Sequence, residues 1–145
     1  MKTASEVMTP DPICCALDTP LGDVAKLMVQ HNCGELPVAD SDGQLIGVVT
    51  DRDIVCRVLA AGRNPLEHTV QDCVSQPVIS VGPDASLSEV MTTMERHQIR
   101  RVPVADEQDR CIGIIALADL AWVGERKEVA VLVREVSRDT DAPSR

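Results

Sequence analysis

Aromatic side chains are almost absent from this chain of 145 residues, which has no phenylalanine, no tyrosine and a single tryptophan, Trp122. Its hydrophobic fraction is nevertheless 44%, which is enough for a substantial core. That core must be built from valine, isoleucine, leucine, methionine and alanine. Single-stranded nucleic acids are bound largely by stacking on aromatic side chains, so this mode of binding is not expected. The length fits one compact domain or two small lobes that share a core.

Basic residues are also scarce: 14 Lys and Arg stand against 23 Asp and Glu, giving a formal net charge of −9. Nucleic-acid binding needs basic surface to neutralise phosphates, so none is expected. No apolar run approaches the roughly 20 residues of a membrane helix, and the first residues lack the apolar segment of a signal peptide. We therefore expect a cytoplasmic protein that binds neither nucleic acid nor membrane.

Paired cysteine motifs are missing as well, since the six cysteines include no CxxC pair and several lie within apolar runs. The spacing of zinc ligands is absent, so the sequence predicts no metal site. We expect these residues to be reduced, buried and small hydrophobes. They are Cys14, Cys15, Cys33, Cys56, Cys73 and Cys111.

An internal repeat organises the chain, because segments 66 residues apart carry the same residues. The matching positions are Leu21 with Leu87, Val24 with Val90, Pro37–Asp40 with Pro103–Asp106, Gly47 with Gly113, and Asp53 with Asp119. A unit of about 60 residues cannot bury both its sheet and its helices alone. The two copies should therefore pack together about a pseudo-two-fold axis and form two equivalent clefts.

Each copy is predicted to run strand, helix, strand, strand, helix. In the first copy these are a strand over Ile13–Leu17, a helix that Thr19 caps and Pro20 begins, strands over Leu36–Ala39 and Leu45–Val49, and a helix from about Asp51 to Ala61. The second copy has a capping box that starts at Ser86. We divide the chain into repeat 1 (residues 1–66), repeat 2 (67–123) and a C-terminal segment (124–145).

The C-terminal segment should contain an amphipathic helix, because Val129, Leu132, Val133 and Val136 share one helical face. That face needs a partner, which is either the body of the domain or a second chain. The residues after Arg138 are expected to fray.

The stretch from Gly47 to Asp53 is the strongest functional signal. Two β-branched residues end a strand there, and Thr50 opens the next helix, whose free N–H groups can meet an anion. Arg52 is a further phosphate partner. The other interpretation is that Thr50 and Asp53 form only a helix capping box.

The repeated pattern x-h-P-V-x-D followed by G-h-h-T-x-x-D resembles the cystathionine-β-synthase (CBS) domain, and two copies resemble a tandem pair, or Bateman module. The resemblance extends from about Val7 to Trp122. It implies an α/β fold of two β-α-β-β-α repeats plus the C-terminal helix, in a stand-alone pair of bacterial type. Such pairs often bind adenosine nucleotides (AMP, ADP or ATP) or adenosyl compounds such as S-adenosylmethionine, and require no cofactor.

The resemblance also implies a nucleotide site in the first copy. Asp53 would bind the ribose hydroxyls, Thr50 the ribose or phosphate, and Arg52 a phosphate. The base would lie between Ile13 and a group of residues in the next predicted strand, namely Glu35, Leu36 and Pro37.

The second copy departs from the pattern, since Ala116 has no hydroxyl and Leu117-Ala118 replaces Asp51-Arg52. Losing these hydrogen bonds costs about 1–2 kcal/mol each. We therefore predict one strong site in the first copy and a weaker second cleft. The candidate residues of the second cleft are Asp119, Val78, Arg100, Arg101 and Val102.

Two functions remain open at this level. In the first, a homodimer senses an adenosyl ligand, and an unknown protein partner reads the change in packing. In the second, the clefts are empty and the chain is a structural or interaction module, for which Trp122 is an interface or core residue. No constellation of nucleophile, base and orienting group is present in the sequence, so we expect no enzyme.

Overall fold

Two repeats related by a pseudo-two-fold axis make up the computed structural model, which describes residues 2–123 and 126–137. The chain begins with a short helix and strand, α1 (Ala4–Val7) and β1 (Thr9–Pro10). Repeat 1 then has α2 (Leu21–His31), β2 (Glu35–Ala39), β3 (Leu45–Thr50) and α3 (Asp51–Asp53), which continues as a π-helix (Ile54–Leu59). After 3₁₀ turns at Pro65–Glu67 and Val70–Asp72, repeat 2 has α4 (Leu87–His97), β4 (Arg101–Ala105), β5 (Cys111–Ala116) and α5 (Leu117–Val123), and α6 (Arg126–Val136) follows.

A β-hairpin forms the centre of each repeat, as the sequence predicts. Pro37 pairs with Val48 in β2–β3, and Pro103 pairs with Ile114 at the same register in β4–β5. Both hairpins turn in the same way, because the aspartate that follows the Pro-Val-Ala segment accepts two backbone N–H bonds. Asp40 Oδ1 accepts from Asp42 and Gln44 at 2.9 Å, and Asp106 Oδ1 accepts from Gln108 at 2.9 Å and Arg110 at 3.0 Å.

The two repeats exchange their leading segments. The strand β1 at the start of the chain pairs with β5 of repeat 2, with Thr9 opposite Ile114. The equivalent segment at the start of repeat 2 packs on repeat 1, where Ser75 pairs with Val48. The cores follow this exchange, since Ala4 is buried among residues of repeat 2 and Val70 among residues of repeat 1. Each repeat is therefore completed by the leading segment of the other repeat.

The exchange explains the glycine in each repeated motif. A Cβ on Gly47 would lie 2.8 Å from the carbonyl oxygen of Ser75, and a Cβ on Gly113 would meet the side chain of Met8. Both contacts come from the exchanged segments, which cross the hairpins at these positions. Only glycine, which has no Cβ, lets another segment lie this close to the backbone of the hairpin.

The C-terminal helix packs on repeat 2 of its own chain. Leu132 is fully buried in that core, and Val136 and Val129 pack beside it, whereas Val133 is exposed. The prediction of an amphipathic helix with a buried face is confirmed for Val129, Leu132 and Val136 and is wrong for Val133. The predicted fraying after Arg138 lies outside the described residues.

Several local predictions were wrong. Ile13–Leu17 is no regular strand, because only Cys15 forms an isolated parallel bridge, with Val38. Pro20, and not Thr19, is the N-cap of α2, since the Thr19 hydroxyl instead accepts a hydrogen bond from Ala16 N at 2.9 Å. The capping box at Ser86 is confirmed.

Two predictions of burial also failed. Cys14 and Cys56 are exposed, so these two cysteines are not buried hydrophobes. Trp122 is 90% exposed, which excludes a place in the core of this chain and leaves an interface role open. Within residues 2–123 and 126–137, no helix has the length and apolar character needed to cross a membrane.

Replacing Gly47 with alanine should destabilise the fold by about 1–3 kcal/mol, because the new methyl group collides with backbone of the exchanged segment. Urea unfolding followed by circular dichroism measures this loss. Gly82→Ala is the matched control, since no atom lies within 4 Å of a Cβ there and its stability should hardly change. Equal stability of the two variants would show that the crossing is not a tight constraint.

Candidate functional site

A cavity of about 500 Å³ lies between the two repeats. Repeat 2 contributes Arg101 from β4, Ile114 and Ala116 from β5, and Asp119 from α5. The other wall comes from repeat 1 and the segment that leads into it, and includes Ile13, Glu35 and Leu36. The cavity thus combines apolar walls with a few charged groups, which is the usual character of a small-molecule site.

Asp119 carries a carboxylate that is largely free to meet a ligand. It lies in the first turn of α5, where one oxygen, Oδ2, accepts a hydrogen bond from Ala116 N at 2.8 Å. This is the only hydrogen bond of the Asp119 carboxylate among the described residues. The second oxygen can therefore accept hydrogen bonds from a molecule in the cavity.

Asp53, at the equivalent position of repeat 1, is occupied by partners from its own chain. Its carboxylate accepts from Thr50 N at 3.0 Å and from the Ser75 hydroxyl at 3.2–3.3 Å. Arg57 Nε lies 3.8 Å from Asp53 Oδ1, and the Arg57 guanidinium also donates to the carbonyls of Cys73 and Val74. The Asp53 side chain is only 12% exposed.

The difference between the two aspartates follows from substitutions at repeat-equivalent positions. Arg57 of repeat 1 corresponds to Val123 in repeat 2, so Asp119 has no cation on its own helix. Ser75 corresponds to Thr9, which lines the cavity but forms no hydrogen bond with Asp119 among the described residues. The protein therefore neutralises the first carboxylate itself and leaves the second one available.

The cavity brings together residues that the sequence analysis assigned to two separate clefts, and it leaves out others. Ile13, Glu35 and Leu36 line the cavity, but they do so together with Arg101 and Asp119. The other predicted residues do not line it. These are Thr50, Arg52, Asp53 and Pro37 from the first set, and Val78, Arg100 and Val102 from the second.

The capping interpretation of Thr50 and Asp53 describes their observed contacts. Thr50 Oγ1 accepts from Asp53 N at 3.0 Å, and the reciprocal bond completes a capping box. Arg52 is exposed on α3. Val102 is fully buried in the core of repeat 2, so its side chain supports the fold.

Sequence reasoning missed the residues that the exchange of segments brings in. Ser75 donates a hydrogen bond to Asp53, and Thr9 and Pro12 line the cavity beside repeat 2. Local patterns carry no sign of these contacts, because each joins distant parts of the chain. The 66-residue offset is the one available signal, since it relates Ser75 to Thr9.

Glu35 and Arg101 occupy equivalent positions, 66 residues apart, and both line the cavity. Glu35 is 9% exposed, and its Oε2 atom has no hydrogen-bond partner among the described residues. Burial raises the pKa of Glu35 to about 7; the positive charge of Arg101 opposes the rise and the negative charge of Asp53 adds to it. A carboxyl group that titrates near neutral pH therefore borders the cavity.

The thiols of Cys14 in repeat 1 and Cys111 in repeat 2 lie in contact with each other. A hydrogen bond with Cys111 lowers the pKa of Cys14 to about 7, although partial burial acts in the opposite direction. The same hydrogen bond and burial raise the pKa of Cys111.

The comparisons with known proteins agree with the repeat and with the fold. The family model described as the CBS domain matches residues 4–60 and again residues 70–124. The chain belongs to the CBS domain family. Hypoxic response protein 1 of Mycobacterium tuberculosis is 39% identical over 121 residues, which cover 83% of this chain and 84% of that protein. The CBS domain-containing protein YhcV of Bacillus subtilis is 38% identical over a stretch of the same length.

Solved structures share the architecture of this CBS pair. The structure of Hypoxic Response Protein I with two coordinated zinc ions matches with a TM-score of 0.75 at 38% identity, over 85% of this chain and 99% of that one. The CBS domain pair of protein MJ0100, in complex with 5′-methylthioadenosine and S-adenosyl-L-methionine, matches with a TM-score of 0.77 at 26% identity. That match covers 85% of this chain and 95% of the other.

Stable zinc sites use three or four protein ligands. Within residues 2–123 and 126–137, no group of three or more His, Cys, Asp or Glu side chains is arranged to hold a metal ion.

Glu35→Gln should stabilise the protein at pH 8 more than at pH 5. Because the pKa of Glu35 is raised in the folded state, its favourable contribution is complete below the unfolded value of 4.5 and is lost as the pH rises through about 7. Glutamine does not ionise, so the variant avoids this loss of unfolding free energy, which amounts to up to about 3 kcal/mol. Thermal unfolding of both proteins at the two pH values measures the gap in Tm.

Glu107→Gln is the control, because it removes the same charge from the exposed turn between β4 and β5. A gap between Glu35→Gln and the native protein that is independent of pH would contradict the raised pKa.

Proposed function

We propose that this CBS pair is a regulatory module that binds an adenosyl compound in the cavity between its repeats and acts through binding, not catalysis. The observation that carries the proposal is the cavity of about 500 Å³ with the free carboxylate of Asp119 on one wall. A volume of this size lies within the range of small-molecule sites and accommodates a nucleoside.

The lining of the cavity suits the parts of a nucleoside. Ile13, Leu36 and Ile114 offer apolar surface for a flat base. Asp119 offers a carboxylate oxygen for ribose hydroxyls, as the family resemblance assigns to the last residue of the repeated motif. Arg101 offers a guanidinium for an anionic or polar group at the other end of the ligand.

The related CBS pair of protein MJ0100 supports the ligand class, since its structure contains 5′-methylthioadenosine and S-adenosyl-L-methionine. A regulatory role is consistent with the position of the cavity. Both repeats contribute to its walls, so a ligand favours one relative arrangement of the repeats over others. A protein partner that binds one arrangement better than another would then respond to the ligand.

The binding site can be located with two matched variants, Asp119→Asn and Asp53→Asn. An asparagine oxygen can still cap the helix, so both proteins should fold. We expect Asp119→Asn to weaken the binding of 5′-methylthioadenosine roughly ten- to hundredfold, because a charge-assisted hydrogen bond is worth about 1.5–3 kcal/mol. Isothermal titration calorimetry gives the Kd.

Asp53→Asn should leave that Kd nearly unchanged, since Asp53 already bonds to Thr50, Ser75 and Arg57. The opposite ranking would place the ligand in the first cleft, as the sequence alone predicts. If 5′-methylthioadenosine, S-adenosylmethionine, AMP and ATP all fail to bind the native protein, the interaction module becomes the better account.

We also propose that the chain forms a homodimer through the last helix of each repeat. Val55 and Leu59 are exposed on the π-helix that follows α3, and Trp122 and Val123 are exposed on α5, the repeat-equivalent helix. Large apolar side chains grouped on two symmetry-related helices are typical of a contact surface. A second copy fits it, because the same pseudo-two-fold axis relates both helices within one chain.

The dimer is tested by the double variant Leu59→Asp and Trp122→Asp, which places a charge on each helix of this surface. Light scattering coupled to size-exclusion chromatography should give a dimer for the native protein and a monomer for the variant. Val29→Asp is the control, since Val29 is also an exposed apolar residue but lies on α2. A double variant that remains dimeric would show that another surface is used.

A further inference from the structure

Glu35 is the only charged side chain that is buried among the described residues. It lines the inter-repeat cavity, and its Oε2 atom lacks a hydrogen-bond partner there. A buried acceptor without a partner is costly in free energy, so native structures rarely keep one without a reason. A donor group of a ligand would satisfy this oxygen, and protonation would remove its buried negative charge.

Two charged side chains from other elements act directly on Glu35, and Glu35 in turn acts on one thiol. Arg101 on β4 favours its charged form, and Asp53 on α3 disfavours it. Cys111 on β5 is close enough for the charge of Glu35 to raise the pKa of its thiol. The remaining ionisable groups that line the cavity are Asp11, His31 at the end of α2, Cys33 and Asp119.

The charge of the cavity depends on the protonation state of Glu35. With Glu35 ionised, three carboxylates face one guanidinium, Arg101, so an anionic ligand meets net repulsion. With Glu35 protonated, Arg101 is released from its neighbouring negative charge and can interact fully with a phosphate. Low dielectric within the cavity makes this difference larger than on an open surface.

We propose that Glu35 is the residue that selects the ligand of this cavity by charge: it favours adenosyl compounds whose 5′ group is neutral or cationic, and it admits a 5′-phosphate only together with a proton. This proposal rests on the proposed function, since it concerns the same cavity. Its physical basis is competition, because a phosphate and the Glu35 carboxylate would both interact with Arg101.

The test compares AMP with 5′-methylthioadenosine, which replaces the phosphate by an uncharged thioether. Kd values are measured by calorimetry at pH 6 and pH 8 for the native protein and for Glu35→Gln. One linked proton changes an affinity by at most tenfold per pH unit. We expect native affinity for AMP to fall about fivefold more between these pH values than that of Glu35→Gln, and binding of 5′-methylthioadenosine to change little.

Comparing the native protein with Glu35→Gln cancels the contributions of other groups that titrate within this pH range. The phosphate of AMP and the thiol of Cys14 also titrate between pH 5 and pH 8, but both are present with either protein. Glu107→Gln, which removes an exposed charge, should behave like the native protein. A second measurement needs no variant and records the heat of AMP binding at pH 8 in buffers of different ionisation enthalpy. The heats should show a net uptake of protons on binding that exceeds the uptake caused by the phosphate itself.

The outcomes separate the two proposals. If both compounds bind but the pH dependence for AMP is the same in native protein and Glu35→Gln, the role of Glu35 is overturned and the binding function stands. If neither compound binds the native protein at either pH, the proposed function itself is overturned, and the role of Glu35 falls with it.

Discussion

The exchange of leading segments across the pseudo-two-fold axis is the constraint on which the rest of this structure depends. Each hairpin is completed by the leading segment of the other repeat. Thr9 pairs with Ile114 of repeat 2, and Ser75 pairs with Val48 of repeat 1. Because neither repeat can close its core without the other's segment, the repeats are held face to face. The cavity between them is a direct consequence of that arrangement.

The same exchange determines which of two equivalent carboxylates is available. In repeat 1 the incoming segment brings the hydroxyl of Ser75 to Asp53, and Arg57 completes its environment. In repeat 2 the equivalent positions are Thr9 and Val123, and Asp119 keeps a free oxygen. The two repeats thus carry equivalent aspartates, and a few substitutions made them differ in their hydrogen-bond partners and neighbouring charge.

A second asymmetry lies at the cavity wall, where one repeat has Glu35 and the other Arg101 at the equivalent position. An internal axis brings equivalent positions close together, so a substitution in one copy changes the electrostatics experienced by the other. Burial then raises the pKa of Glu35 to about 7, where modest changes in pH alter the charge of the cavity. The charge of the cavity therefore depends on residues of both repeats.

The sequence by itself determined the repeat, the family, the two hairpins and the amphipathic C-terminal helix, because each is encoded by periodicity or by residues close together in the chain. It also identified Asp119, Arg101, Glu35 and Ile13 as candidate site residues. Only the tertiary structure decided which of them share a cavity and that Asp53 is already bound by its own chain. Those facts depend on contacts between distant segments, and local patterns do not state which repeat a leading segment packs against.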